Sequence, residues 1–359
     1  MITLYIIGVA IYFNYLAYVF FGLFRHTIKH EKKEEKKKVS VVIAAKNEEE
    51  YLPALLNDLV NQDYPKDKLE IIVANDRSSD NTGAIVEKMM QIHNNIKHIK
   101  IDSNSTVAPK KFALEEGIRK SEGELILSTD ADCRLLKTWV SSMSSSLSEK
   151  GGITIGFSRV LAKSFFDNYQ LIDFFCIFIA NTGFAGWNEY FSGSGQNLAY
   201  DKKSFFDIGG FTGTEESISA DDMFLVQSIS SIKDCQINLR PESYVFTLPE
   251  KNILSFINQR IRWSSYSKYN LVKNPKFFLF LLSAFLCNVI ILVFSFIKPN
   301  ISLTIFLIKI FLEGIIIIKG SRLFRTKISG FSFIIWSVLQ PIYIPFIGIA
   351  GLGKFYKWK

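Results

Sequence analysis

From Val39 the chain alternates short β-branched runs with longer amphipathic stretches: VSVVIAA, EEEYLPALLNDLVNQ, LEIIVAND, NTGAIVEKMMQIH, IKHIKI, a helical run from Lys110, and ELILSTD. Apolar residues in continuous short blocks mark buried strands, and their recurrence every three or four residues marks helices. Strand, helix, strand, repeated, predicts an α/β fold whose mostly parallel sheet carries helices on both faces. Ligands of such sheets bind beyond the carboxyl ends of the strands. Those ends are polar here: Lys46-Asn47-Glu48 after the first strand, Asn75-Asp76-Arg77-Ser78-Ser79-Asp80 after the second, and Asp130-Ala131-Asp132 after the fourth. All three should converge on one edge, with Asp80 also suited to cap the helix that begins near Thr82.

The two ends of the chain break this pattern. Ile2 to Phe24 is uncharged and long enough to cross a bilayer, and RHTIKHEKKEEKKK follows at once. A signal peptide would carry its basic cluster ahead of the apolar run, so this reads as a spanning helix. The positive-inside rule puts the Lys-rich segment, and the roughly 230 residues after it, in the cytoplasm. Phe277–Ile297, Ile301–Ile318 and Ile328–Leu352 are three further apolar runs; the middle one carries Lys309 and Glu313, spaced to pair at i and i+4. The last contains Pro341 and Pro345, and three full crossings would leave KFYKWK outside, so either the rule fails there or one run is interfacial or re-entrant. The expected organisation is a spanning helix over 1–24, a basic juxtamembrane linker over 25–38, an α/β domain over 39–250, an amphipathic interface helix over 251–275, and a membrane region of two or three helices over 276–359. Phe165 to Phe184, interrupted by Asp167, Asp173 and Asn181, reads as a further amphipathic helix, and the serine cluster Ser141–Ser148 as an exposed helix or loop.

Composition agrees with a multi-pass protein of the cell membrane whose α/β domain is cytoplasmic. Hydrophobic residues make up 48% of the chain, 32 of them Phe, and a soluble domain of 359 residues needs fewer. The net charge of +8 sits largely beside the apolar runs, where anionic lipid accounts for it, so no nucleic-acid partner is expected. Cys133, Cys176, Cys235 and Cys287 have no CxxC spacing, which fits reduced cytosolic thiols and argues against a disulfide framework or a zinc site.

Three segments carry candidate chemistry. Asp130 and Asp132, one residue apart after a buried strand, repel each other unless a cation lies beside them; a hard divalent ion, magnesium or manganese, suits those oxygens and would also bind a diphosphate. Asp221-Asp222 precede an apolar helical pattern; capping needs one acid, and a positioned carboxylate accepts a proton from an attacking hydroxyl. Gln259, Arg262 and Trp263 of QRIRW share one face of a helix over Ile253–Leu271, offering a guanidinium for phosphate and an indole for a sugar ring, or equally the Arg and Trp of an interfacial helix. Between them, Phe191–Phe211 carries Gly193, Gly195, Gly209 and Gly210, the mark of tight turns or close backbone approach.

Taken in order, VVIAAKNEEE, ANDRSSDNT, PKKFALEEGI, STDADC, GSGQNLAYDKKSFFDIGGF, SADDMFL and QRIRW resemble the inverting family-two glycosyltransferases, the nucleotide-sugar enzymes related to ceramide glucosyltransferase, hyaluronan synthase and cellulose synthase. The resemblance covers about Val39 to Asn270. It implies a GT-A, Rossmann-like domain for nucleotide sugars. Glu48 and Asp76 would hold the uridine of a UDP-sugar and Lys110 would lie near the nucleotide. Asp130 and Asp132 would be the D-x-D that binds the metal and donor diphosphate, with Asp132 as direct ligand. Asp222 would be the general base; Gln259 and Arg262 would lie near the diphosphate and Trp263 near the acceptor. Asn75, Glu115 and Ala220-Asp221 depart from the family's usual residues. The implied activity is sugar transfer to a lipid or lipid-linked hydroxyl at the inner membrane face; the alternatives are a processive polysaccharide synthase and an inactive nucleotide-sugar-binding scaffold.

Overall fold

The computed structural model describes residues 2–26, 35–102, 108–147, 151–212, 214, 221–353 and 355–356. Most of the basic linker, Ser148, Ala220 and much of the basic tail lie outside them. In chain order the elements are α1 (Ile2–Leu23), β1 (Val39–Ala45), α2 (Leu52–Val60), β2 (Leu69–Asn75), α3 (Thr82–Ile92), β3 (Ile96–Lys100), α4 (Pro109–Lys120), β4 (Leu125–Ser128), β5 (Arg134–Leu135) and α5 (Trp139–Ser146). There follow β6 (Ile153–Gly156), β7 (Ser158–Val160), α6 (Phe165–Ala185), β8 (Leu198–Asp201), α7 (Lys202–Asp207), α8 (Asp221–Ser230), β9 (Cys235–Asn238) and β10 (Val245–Thr247). The last are α9 (Ile253–Ser264), α10 (Ser267–Lys273), α11 (Pro275–Ile297), α12 (Pro299–Leu323) and α13 (Gly330–Leu352).

The elements divide into two compact units. Thr27–Arg159 with Ser192–Leu248 form an α/β unit around a seven-stranded sheet of order β3-β2-β1-β4-β8-β6-β9, with β5, β10 and β7 in a small second sheet. β1 runs parallel to β2 and β4, β2 to β3, and β6 to β9, while β8 runs antiparallel to both neighbours. The sheet is therefore parallel-dominated but mixed. The chain builds outward from β1 to β2 and β3, then returns to place β4 on the other side of β1, which makes a switch point between β1 and β4. Val39, Val41 and Ile43 of β1 pack with Leu52, Leu55, Leu56 and Leu59 of α2 and with Trp139, Val140 and Met143 of α5 in one core. The serine-rich α5 is thus half-buried, because its three large apolar side chains face that core. On the other side α4 lies against β1 closely enough that a Cβ at Gly117 would stand 2.5 Å from Val42 Cγ1.

The second unit comprises Met1–His26, Val160–Phe191 and Pro249–Lys359, so α6 packs with the terminal helices. α11, α12 and α13 are long and apolar enough to cross a membrane. α13 continues through Pro341 and Pro345 and remains one helix of 23 residues. α1 and α6 cross at glycines: a Cβ at Gly22 would lie 1.9 Å from the Gly183 carbonyl oxygen, and one at Gly186 would lie 2.1 Å from the Gly22 carbonyl oxygen. Only residues without a Cβ let the two backbones meet this closely. Gly22→Ala should therefore separate α1 from α6 and destabilise the detergent-solubilised protein by about 1–3 kcal/mol, read as a lower thermal midpoint.

Two charged clusters are buried among these helices. Lys309 and Glu313 pair as their spacing predicts, at 2.8 Å; Lys309 also donates to Gln340 Oε1 at 2.7 Å, and the Tyr12 hydroxyl donates to Glu313 Oε1 at 2.7 Å. Asp173 of α6 accepts from Arg260 Nε of α9 at 2.6 Å and from Trp336 Nε1 of α13 at 3.1 Å.

Candidate active site

The carboxyl edge of the parallel strands gathers the polar loops expected there. β1 and β2 end level, Ala45 opposite Asn75, and the loops beyond them are laced together. Asn47 N–H donates to Ser78 Oγ at 3.0 Å, Ser79 N–H to Asn47 Oδ1 at 2.8 Å, and Glu48 N–H to Thr82 Oγ1 at 2.8 Å. Asp80 accepts from Thr82 N–H at 3.0 Å, so it caps α3 from one position before the formal cap, Asn81. Asp76 is buried, 3% exposed, with Arg77 Nε 2.8 Å from Oδ1 and Lys46 Nζ 3.8 Å from Oδ2. Arg77 and Asn47 hold left-handed backbone, φ 53° and 56°, which for a residue with a Cβ costs about 1–2 kcal/mol. The Arg77–Asp76 contact compensates part of that strain. Neither Lys46 nor Arg77 stands out by composition; their signal was position alone, directly after two strand ends.

A second cluster joins three distant stretches of chain. The turn after β4 closes by Cys133 N–H donating to the Asp130 carbonyl at 3.1 Å, which brings Asp130 and Asp132 to one tip. Lys110, in the first turn of α4, reaches Asp130 Oδ1 at 2.8 Å and lies 3.8 Å from Asp221 Oδ2. Asp222, in the first turn of α8, accepts Gly195 N–H on Oδ2 at 3.1 Å and Met223 N–H on Oδ1 at 2.7 Å. Gly195 therefore supplies the close backbone approach its spacing suggested, with Asp221, Asp222 and Lys110 all within 4 Å of where its Cβ would stand. The next lysine diverges from Lys110: Lys111 is fully buried and donates to the Thr214 carbonyl at 3.3 Å.

The charges of this cluster tune one another. Withdrawal from water and the neighbouring charge of Asp221 push the Asp222 carboxyl up to about 6, against the opposing pull of Met223 N–H, Lys110 and Gly195 N–H. Burial presses the Lys110 ammonium down, but Asp130 and Asp221 outweigh it and hold the group well above its ordinary value, permanently charged. Burial, then the charges of Asp132 and Asp130, raise the Cys133 thiol, which keeps it protonated and unreactive.

Gln259, Arg262 and Trp263 lie on α9, in the helical unit. Gln259 Nε2 donates to Glu250 Oε1 at 2.8 Å, and its Oε1 accepts from Arg260 Nη1. The guanidinium over the Trp263 ring, at 4.2 Å, belongs to Arg260, a residue without a role in the sequence reading. Its signal was present: a second arginine, and one apolar-run aspartate, Asp173, to pair with it.

Among the described residues no three His, Cys, Asp or Glu side chains converge as a metal cage. The D-x-D tip nevertheless fits a hard cation: it offers two carboxylates, one already drawing the Lys110 ammonium, and magnesium-type ions use one or two protein carboxylates completed by substrate phosphates.

A parallel-dominated sheet whose switch point carries carboxylates and a fixed lysine fits the GT-A class of fold. The profile described as Glycosyl transferase family 2 matches residues 40–221, and the chain belongs to that family. It is 29% identical over 287 residues to the Bacillus subtilis protein described as "Probable glycosyltransferase YdaM", an alignment covering 76% of this chain and 67% of that one. It is 32% identical over 117 residues to the beta-monoglucosyldiacylglycerol synthase of Trichormus variabilis, covering 33% of this chain and 25% of the synthase. Among solved structures the fold matches the mannosyltransferase PcManGT of Pyrobaculum calidifontis, in complex with GDP-Man and Mn2+, with a TM-score of 0.65, 18% identity and 98% of each chain covered.

Proposed function

We propose that this glycosyltransferase inverts the anomeric centre of a nucleotide sugar, by its family resemblance a UDP-sugar, and transfers it to a hydroxyl of a lipid or lipid-linked acceptor at the inner membrane face. The observation that carries the reading is the Lys110–Asp130–Asp221–Asp222 cluster at the carboxyl edge of β4. Asp76 and Glu48 hold the nucleoside. Asp222 is the base: Gly195 and Met223 N–H orient its two oxygens and leave a lone pair on each for the acceptor proton. As the acceptor oxygen forms its bond to the anomeric carbon, its proton passes to Asp222 and the bond to the diphosphate breaks on the opposite face. Lys110 and Arg262 supply positive charge for the departing diphosphate, and Trp263 a surface for the acceptor. Asp130 and Asp132 would hold a divalent cation, which when bound neutralises diphosphate charge. The helices long enough to span a membrane, and the relative named for a monoglucosyldiacylglycerol, a glycolipid, support a lipid-side acceptor.

A screen of nucleotide sugars with membranes containing the protein, read as nucleoside diphosphate release and labelled product, tests this. Transfer to lipid should appear with one donor, vanish with EDTA and return with excess Mg or Mn; activity indifferent to EDTA removes the cation role from Asp130 and Asp132. Long polymer as the product would establish processive synthesis in place of single transfer.

A further inference from the structure

Two buried polar side chains of α6 face the segment that carries QRIRW, and the reaction as proposed uses neither. Gln170 is 2% exposed; its Oε1 accepts Glu250 N–H at 2.8 Å and its Nε2 donates to the Glu250 carbonyl at 3.0 Å. One helical turn on, Asp173 accepts from Arg260 Nε at 2.6 Å, with Trp336 and Tyr343 of α13 on the same carboxylate. What these two residues hold then touches the motif. Glu250 Oε1 takes the amide of Gln259, and Arg260 donates to the other end of that amide while its guanidinium lies between the rings of Phe256, at 4.5 Å, and Trp263, at 4.2 Å.

We propose that Asp173 is the positioning residue of the QRIRW helix: through Arg260 it fixes the amide of Gln259 and the indole plane of Trp263. The inference rests on the reading above that Gln259 and Trp263 serve the transfer. Stability alone does not account for the arrangement. A buried ion pair can be replaced by apolar side chains with little loss, whereas a planar guanidinium shared by a carboxylate, an amide and two rings defines orientation. Asp173 and Arg260 touch no substrate in this scheme; they act on residues that do.

The test separates orientation from folding. Asp173→Asn leaves Arg260 buried without its counter-charge and should lower kcat by about 10- to 100-fold, the effect of misplacing a reacting group, while donor KM changes by less than about threefold. Asp173→Asn with Arg260→Met removes both charges and should return the thermal midpoint to near that of the parent, yet kcat should stay low because Arg260 no longer fixes the Gln259 amide oxygen or the Trp263 indole. Recovery of kcat together with stability in the double variant would show a purely structural pair and overturn the proposal. So would an unaltered kcat in Asp173→Asn. Gln259→Ala and Trp263→Ala serve as reference: if both keep full activity, the motif's own role fails, and the positioning role with it; if both lose activity while Asp173→Asn does not, only the positioning role fails.

Discussion

Asp222→Asn should leave a folded protein that binds its donor and transfers sugar about 10^2–10^4-fold more slowly, the range spanned by removing a general base. The substitution keeps the shape and one acceptor oxygen, so a hydrogen bond from Gly195 or Met223 N–H survives and nucleotide affinity should stay within about threefold. What disappears is the proton acceptor. Equal nucleoside diphosphate release by parent and variant would remove Asp222 from that role and favour an inactive nucleotide-sugar-binding scaffold, or a base elsewhere. The pH profile is an independent check. A base works deprotonated, and burial together with Asp221 raises Asp222 to about 6, so the rate should climb with pH to a plateau above about 6. Asp221→Asn takes away a charge that raises this group and should move the rising limb to lower pH. Lys110→Met takes away one that lowers it and should move the limb higher.

Lys309→Met should destabilise the helical unit by about 3–5 kcal/mol, the cost of leaving one member of a buried pair alone. Lys309 is fully buried and Glu313 5% exposed, and Tyr12, Gln340 and the pair itself tie α1, α12 and α13 together. With the lysine gone, the Glu313 carboxylate keeps Tyr12 and Gln340 as partners but loses its counter-charge among apolar helices. Lys309→Met with Glu313→Leu should recover most of that loss, since neither charge then needs a partner. Thermal unfolding of the detergent-solubilised proteins measures both. A double variant no more stable than Lys309→Met would mean that the network, beyond the pair, holds these helices.

The cluster around Asp222 illustrates how far a chain can be read before it is folded. Asp130 and Asp222 could each be singled out, because a strand end and paired carboxylates at a helix start are local features, whereas Lys110 came only with the family resemblance. Their meeting could not be read from spacing. It depends on β4 returning beside β1, which brings the D-x-D turn to the switch point, and on the Gly193–Gly195 loop entering antiparallel β8 so that a backbone N–H arrives at Asp222. Likewise Asn75, Asp76 and Arg77 were visible as a polar strand end, but the left-handed turn at Arg77 and its hold on Asp76 belong to the packed loops.

By itself the sequence determined the periods: continuous apolar blocks that became β1, β2 and β4, amphipathic runs that became α2 and α3, and apolar runs long enough to be α11, α12 and α13. These follow from local geometry, two residues per repeat in a strand and 3.6 in a helix, and need no partner to be expressed. Only the tertiary structure decided that the sheet is mixed, that α6 joins the terminal helices, that Asp173 meets Arg260 across 87 residues and that Tyr12 meets Glu313 across 301. A buried charge must find its partner wherever the fold supplies one, and no local period records where that is.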